Sequence, residues 1–462
     1  MKINPRTPEA MELFMQGTMA FSRAELAGIR VDTEYIINQI EVLKQRMQAL
    51  EDEFKETTFF KHWEHSTSKK ININSKYQLS TFLYHVKKLE APKLTDTGNG
   101  STDEEALQQL NIPELNLLIK KSKIKKAVDV LQGFYDEQVD GYIHTSFNLH
   151  LVTTYRSSSS SVNLQNIPNR DVEMMKICRR AIIPREGHQL IEIDLSGAEI
   201  RIAACYNKDE KFIYDIVHGD MHSDVTKQIF LMDNFDKSIP SHNVLRAATK
   251  NGFVFPQFYG DYYKNCAVNL ACKWGELPQG KWKRGQGIEI DSPAFTLSDH
   301  LIAEGLNSID KFTDHIKKIE KDFWENRYSV YNEWKELWWK LYLKYGYVDL
   351  LTGFRCKDIM RKNVCINTPI QGAAFHYLLK AFILLDTLII KEGLDSRLVS
   401  QVHDSVVIDC LPSETEYIIE KTMQIIQEDI PKLWKWVNVP IEADVEKCPI
   451  NGSWAEKEKY FK

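Results

Sequence analysis

Two stretches of the chain place an aspartate where a strand pattern stops. In LIEIDLSGAEIRIAAC, from Leu190 to Cys205, Ile191, Ile193 and Leu195 alternate with Glu192, Asp194 and Ser196. That is the period of a half-buried strand, and the good helix formers AEIRIAA follow at once. In RLVSQVHDSVVIDCL, from Arg397 to Leu411, two β-branched runs meet near His403 and Asp404. An acid at the tip of a buried hairpin needs a partner. Two aspartates on adjacent strand ends would repel each other, and a divalent cation is the natural remedy. Taken alone, Asp194 is as well explained as a helix cap or a solvated loop carboxylate.

Other polar groups cluster around these two acids in the sequence. TTYRSSSSSVNLQNIP, Thr153 to Pro168, reads as a flexible linker by its five serines, yet Arg156, Asn163, Gln165 and Asn166 offer hydrogen-bond forks for sugar, phosphate or base edges. Arg246 and Lys250, four apart, share a helix face with aromatics on the next turns, a platform for a triphosphate and a base; a surface helix is the plain alternative. Lys120, Lys121, Lys123, Lys125 and Lys126 crowd LLIKKSKIKKA. Such a run is usually a solvated face, but here it could clamp a phosphate backbone by counterion release. Asp32-Thr33-Glu34 reads as a helix cap, and Thr102 with Glu105 as a capping box. Residues 261–320, with GELPQGKWKRGQG, show no chemistry.

The elements that must position these groups are mostly helical. Helix is expected from Pro8 to Leu50 with a break near Gly28, a tryptophan- and tyrosine-rich core helix over Asp322 to Lys344, a hairpin over Gly346 to Arg355 turning near Gly353, and a long helix opening at Asn367. The 462 residues, 43% hydrophobic and 27% charged, suffice for two or three packed regions. A net charge of -5 excludes a wholly basic nucleic-acid coat but not a local basic groove. The eight cysteines form no CxxC pair, which argues against structural zinc and for free thiols in a reducing compartment. No secretory leader is expected, and no apolar run is expected to be long enough to cross a bilayer.

Taken in order, these segments resemble family A DNA polymerases, the bacterial DNA polymerase I class and its phage versions. DLSGAEIR is similar to the family's DYSQIELR, and LQNIP, the QG of NTPIQGAA, the HD hairpin and the terminal NGSW stand in family order. The resemblance implies an α+β right hand with an antiparallel-sheet palm, helical fingers and a helical thumb. It divides the chain into an N-terminal helical segment (1–37), thumb (38–135), first palm part (136–215), fingers with an insertion near 261–320 (216–360) and second palm part (361–462). It implies two Mg²⁺ ions held by Asp194, Asp404 and the Leu195 carbonyl. Arg246 and Lys250 would take the incoming triphosphate, Lys250 as a catalytic group, with Phe255 and Tyr259 at the nucleotide and Glu199 as the gate against a ribose 2′ hydroxyl. Arg156, Asn163, Gln165, Asn166, Gln371 and His403 would contact DNA, with Lys120, Lys121 and Lys123 gripping duplex phosphates. Implied partners are primer-template DNA and dNTPs, with no membrane, in the cytoplasm of the cell or of a viral host.

The chain also departs from the family. The aromatic expected four residues after Lys250 lies five after it, at Phe255, so a π-bulge or local break is expected near Asn251 and Gly252. Motif C reads HDS, with Ser405 in place of a carboxylate. HDS also occurs in single-subunit RNA polymerases, but the acidic Glu199 and Phe255 favour deoxynucleotides. A catalytically weak DNA-binding relative is a further alternative. Only about thirty residues precede GIRVD, where the family's proofreading domain would stand, so no intrinsic exonuclease is expected, and a separately encoded one or another replication protein is a candidate partner.

Overall fold

Thr7 caps and Pro8 opens the first helix, α1 (Pro8–Ala27), and Gly28 at φ 66° ends it. The structure, a computed structural model, describes residues 4–68, 70–95, 97–169, 171–292 and 295–460. Asp32 accepts the Tyr35 N–H and caps α2 (Thr33–Glu56), as its sequence suggested. The division expected between residues 37 and 38 therefore falls inside a helix, and the change of direction lies at Gly28 to Val31. Ile36, Ile40 and Leu43 of α2 bury against Ile124, Val128 and Leu131 of α3 (Leu115–Glu137). Beyond them Phe54, Phe59, Trp63, Phe82, Leu83 and Leu107 close a separate small core. The capping box expected here is a plain aspartate cap instead: Asp103 accepts the Ala106 N–H at 2.8 Å, because the helix starts at Glu104.

The palm is one five-stranded antiparallel sheet. Its strands are β1 (Gln189–Ser196), β2 (Arg397–Val402), β3 (Ser405–Cys410), β4 (Glu442–Lys447) and β5 (Glu458–Lys459), in the order β2-β3-β1-β4-β5. The alternation in β1 is used on both sides. Ile191 and Ile193, at most 1% exposed, join the main core, and each contributes roughly 2 kcal/mol by burial. Glu192 on the other face is covered by Trp454 and Lys457.

Helices follow β1: α4 (Ala198–Asn207), then, within the stretch expected as fingers, α5 (Met221–Phe230), α6 (Pro240–Thr249), α7 (Ile309–Asp322) and α8 (Ser329–Tyr345). The expected hairpin forms between Val348–Asp349 and Arg355–Cys356, and Gly353 sits at φ 83° in its turn. A Cβ there would lie 2.6 Å from Thr7 Oγ1, so only glycine fits. The serine run is a short strand, Ser158–Ser160, paired with Ser146–Asn148 rather than a linker.

The long helix α9 (Lys362–Glu392) corrects the expectation about bilayer-length segments. With a mean hydropathy of 1.7 over its most apolar window it is long and apolar enough to cross a membrane, yet 72% of that window is buried inside the fold. It is a core helix because Cys365, Ile370, Ala374, Leu378 and Phe382 pack into the main core with the apolar face of β1. All eight cysteines are free.

Candidate active site

β1 delivers Asp194 to the edge of a cavity of about 370 Å³, and the β2-β3 turn delivers Asp404 to the same cavity. Register explains the meeting: Asp194 pairs with Ser405 on one side and with Asp444 on the other, and the Leu195 N–H donates to the Asp404 carbonyl at 3.0 Å. His403 fills the first turn position at φ 53°, a left-handed conformation that costs a non-glycine residue about 1 kcal/mol. Gln401 Nε2 holds the His403 carbonyl at 2.6 Å, and Gln401 in turn accepts from Ser157. Strain held by such a network marks a position whose geometry matters.

The Asp194 carboxyl is pushed up to about 6, first by burial in its recess and then by Asp404 and Glu192, with Asp444 adding to them. A site that penalises carboxylate charge in this way suits a hard divalent cation, and its donors are all oxygen. Among the described residues no group of three His, Cys, Asp or Glu has metal-holding geometry, so the site rests on the aspartate pair. Ser405, where the third acid was missed, is 2% exposed and donates to the Val402 carbonyl at 2.9 Å.

Glu199, on the first turn of α4, is bonded from both sides. It accepts from the Arg156 guanidinium and from the Tyr259 hydroxyl. Arg156 also stands 3.9 Å from Asp404, so the guanidinium joins Glu199 to the aspartate pair. Burial raises the Glu199 carboxyl above its usual range against the pull of Arg156 and Tyr259. Tyr259, at the end of the fingers helix, is anchored by Asn367 Nδ2 on its carbonyl at 3.2 Å. Gly260 at φ 87° lets the chain pass Asn363, whose Cβ would lie 2.8 Å from any added Cβ. Gln371, His403 and Phe255 line the same cavity.

The expected break in the fingers helix is present. After α6 the chain makes a π-helical turn over Lys250–Val254 and resumes α-helix at Phe255. The inserted residue is absorbed there, and Lys250 Nζ stands 5.2 Å over the Phe255 ring. Similar turns occur at Thr81–Val86 and Asn269–Trp274, so this one is distinguished by what it positions. Neither Lys250 nor Arg246 lines the cavity itself. Arg246 donates to Asp220 at 2.9 Å and to Ser223 at 3.1 Å, which holds the Asp220 carboxyl far below its usual range.

Sequence reasoning missed His222. Its ring lies 6.0 Å from Phe255, and burial followed by Arg246 and Lys250 pushes it down to about 4. Its Nδ1 is buried without a hydrogen-bond partner among the described residues. Only its place two residues after the Asp220 cap hinted at a fixed orientation.

Other expected contacts are turned inward. Asn163 Oδ1 accepts from Ser159 at 3.1 Å and from the Gln165 N–H at 3.0 Å, and Gln165 Nε2 reaches Ser157 at 3.4 Å. These two brace the motif C turn through Ser157 and Gln401, while Asn166 is exposed. The thumb lysine cluster needs correction. Lys121 is 5% exposed and donates to Glu51 and Asn74, so it has no charge to offer a phosphate. Lys123 pairs with Glu104 at 2.8 Å and faces Asp171 at 3.6 Å; Lys120 alone of the three expected grips is exposed.

Comparison with known proteins agrees with this geometry. The sequence profile of DNA polymerase family A matches residues 34–276 and 305–456. DNA polymerase I of Aquifex aeolicus is 28% identical over 447 residues, covering 95% of this chain and 67% of that protein. For DNA polymerase I of Geobacillus stearothermophilus the identity is 28%, over 92% of this chain and 44% of the relative, so the chain spans less than half of some relatives it matches. The polymerase domain of Pol1 from M. smegmatis, solved in complex with DNA primer-template and dNTP, superposes with a TM-score of 0.73 at 24% identity over 96% of this chain and 70% of that one. That likeness establishes the fold, and the profile establishes the kinship: the chain belongs to DNA polymerase family A.

Proposed function

We propose that the chain extends a primer 3′ end by template-directed addition of dNTPs. The observation that carries this reading is the convergence of Asp194, Asp404, Glu199, Arg156 and Tyr259 on one cavity, with Lys250 Nζ 5.2 Å from the ring of Phe255 in its wall. Asp194, Asp404 and the Leu195 carbonyl would hold Mg²⁺, which when bound lowers the pKa of the primer hydroxyl and neutralises charge on the leaving pyrophosphate.

The chain's own groups do the rest. Lys250 and Arg246 bring positive charge to the triphosphate. His222, held neutral near pH 7, offers hydrogen bonding there rather than a third charge. Glu199 is the steric gate: its carboxylate is clamped by Arg156 and Tyr259 and cannot swing aside for a 2′ hydroxyl. Tyr259 and Gln371 face the templating base, and Arg156 and His403 the primer end.

Primer extension with Mg²⁺, comparing dNTPs with rNTPs and wild type with Asp194→Ala, tests this. Extension is expected with dNTPs only and is abolished in the variant. A wild type that binds primer-template but extends nothing would support a catalytically weak relative, and preference for rNTPs would point to RNA synthesis.

A further inference from the structure

Residues 277–304 lie in the gap between the two stretches that the family profile matches, and the fold makes a built element of the described residues there. Trp282 is 5% exposed, Ile290 1%, and Leu297 and Leu301 are fully buried in the main core. Asp299 closes a capping box with Thr296 and accepts the Gly285 N–H, while the Gln286 N–H donates to Ser298 Oγ at 2.8 Å. This scaffold holds out Lys281, Lys283 and Arg284, all exposed and none ion-paired within 4 Å among the described residues, although Arg284 is near enough to Asp299 to help lower its carboxyl.

The loop is fastened to the start of α7. The Trp282 N–H donates to Asn307 O at 2.8 Å, and the Ile309 N–H to Gly280 O at 2.9 Å. α7 adds Lys311, Lys317 and Lys318, likewise exposed and without an acidic partner within 4 Å among the described residues, although Asp310 and Asp314 share the helix. Lys317 Nζ stands 5.5 Å from the centre of the Tyr263 ring. Tyr263 lies four residues beyond Tyr259, with Tyr262, 49% exposed, between them. Cations and tyrosines thus lead from the mouth of the cavity along α7 to the 277–304 loop.

We propose that this row binds the backbone of the unpaired template strand ahead of the site, a role that rests on the polymerase reading above. Single strands are held by cations that track phosphates together with aromatic faces for the bases. Cations without an internal acid contribute their whole charge to counterion release, whereas paired ones must first leave their partner. The net charge of -5 makes such a surface a local exception.

The test is a Lys281→Ala, Lys283→Ala, Arg284→Ala triple variant of the full chain, with binding measured over a salt series on primer-templates carrying a long or a very short 5′ template overhang, and dNTP extension measured on both. On the long overhang the slope of log affinity against log salt should fall by about 2, at about 0.7 per cation lost, with affinity roughly tenfold weaker at physiological salt. On the short overhang the variant should match the wild type. Lys317→Ala, which leaves the loop untouched, should lower the long-overhang slope by about 0.7. Equal slopes on the long overhang in both variants, with the wild type still extending primers, would overturn the proposal and leave the polymerase reading standing. An equal loss on both templates would also overturn it, by placing the cations on duplex. A wild type that extends neither template would instead overturn the polymerase reading.

Discussion

On α3 of the thumb, Lys121 donates to Glu51 and Asn74, Lys123 lies 2.8 Å from Glu104, and Lys125 lies 2.7 Å from Asp129. In the fingers, Lys281, Lys283, Arg284, Lys311, Lys317 and Lys318 have no acid within 4 Å among the described residues. The thumb run is the denser of the two in sequence, and it is the one that invites a nucleic-acid reading. What a polyanion can use is the charge left after internal pairing, and by that measure the fingers are the richer surface. Three thumb lysines serve the thumb's own folding.

The largest expected effect comes from a fingers cation without an acidic partner among the described residues, Lys250, which stands 5.2 Å from the ring of Phe255 in the cavity wall. Lys250→Ala should lower kcat/KM for dNTP by about a hundredfold or more, the scale for removing one electrostatic stabiliser of developing charge. A loss under tenfold would mean that free cations here are not spent on the nucleotide, and the contrast with the thumb would fail. Lys121→Met should act on stability instead, by about 1 to 3 kcal/mol, because Glu51 loses a buried donor. Its salt slope on duplex DNA should match that of the wild type, and a slope reduced by about 0.9 would show that Lys121 does reach a phosphate.

The inward turn of Lys121 could be read from helical spacing, since it stands three residues after Leu118 and three before Ile124, both in buried positions. Counting charges hid it. The palm acids were legible because strand period and a hairpin tip are local signals, and the π turn because one extra residue can be counted. The bonds of Glu199 to Arg156, 43 residues away, and to Tyr259, 60 away, carry no local pattern. His222 is likewise invisible until α5 and α6 pack together. Residues 261–320 carry no legible signal because a basic, glycine-rich stretch looks the same whether it is solvated or built on a buried tryptophan, as Trp282 is.

Lys335 represents a third situation, a cation set on an aromatic face. Its Nζ lies 3.0 Å from the centre of the Trp324 ring, and burial, then Lys362, pushes it down to about 7. The folded pKa lies below the unfolded one. Below about 7 both states carry the charge, and the fold bears the full penalty; between about 7 and its ordinary 10.5 the unfolded chain holds a proton that the folded chain lacks, so stability rises with pH. Thermal unfolding from about pH 7 to about pH 9 should show a rise that Lys335→Met flattens. An unchanged pH profile in the variant would mean that the ring accommodates the charge without cost.

The smallest effect separates neighbours within the thumb itself. Lys125→Ala removes an exposed pair with Asp129, one helical turn away, and should cost no more than about 0.5 kcal/mol. Lys120, exposed and without an acid within 4 Å among the described residues, should cost still less in stability when changed to alanine. On duplex DNA the order should reverse: if the thumb grips phosphates at all, Lys120→Ala should lower the salt slope by about 0.9, and Lys125→Ala by less because Asp129 already holds its charge. Equal slopes for the two variants would show that internal pairing does not decide which cations DNA can use, and the contrast between thumb and fingers would lose its physical basis.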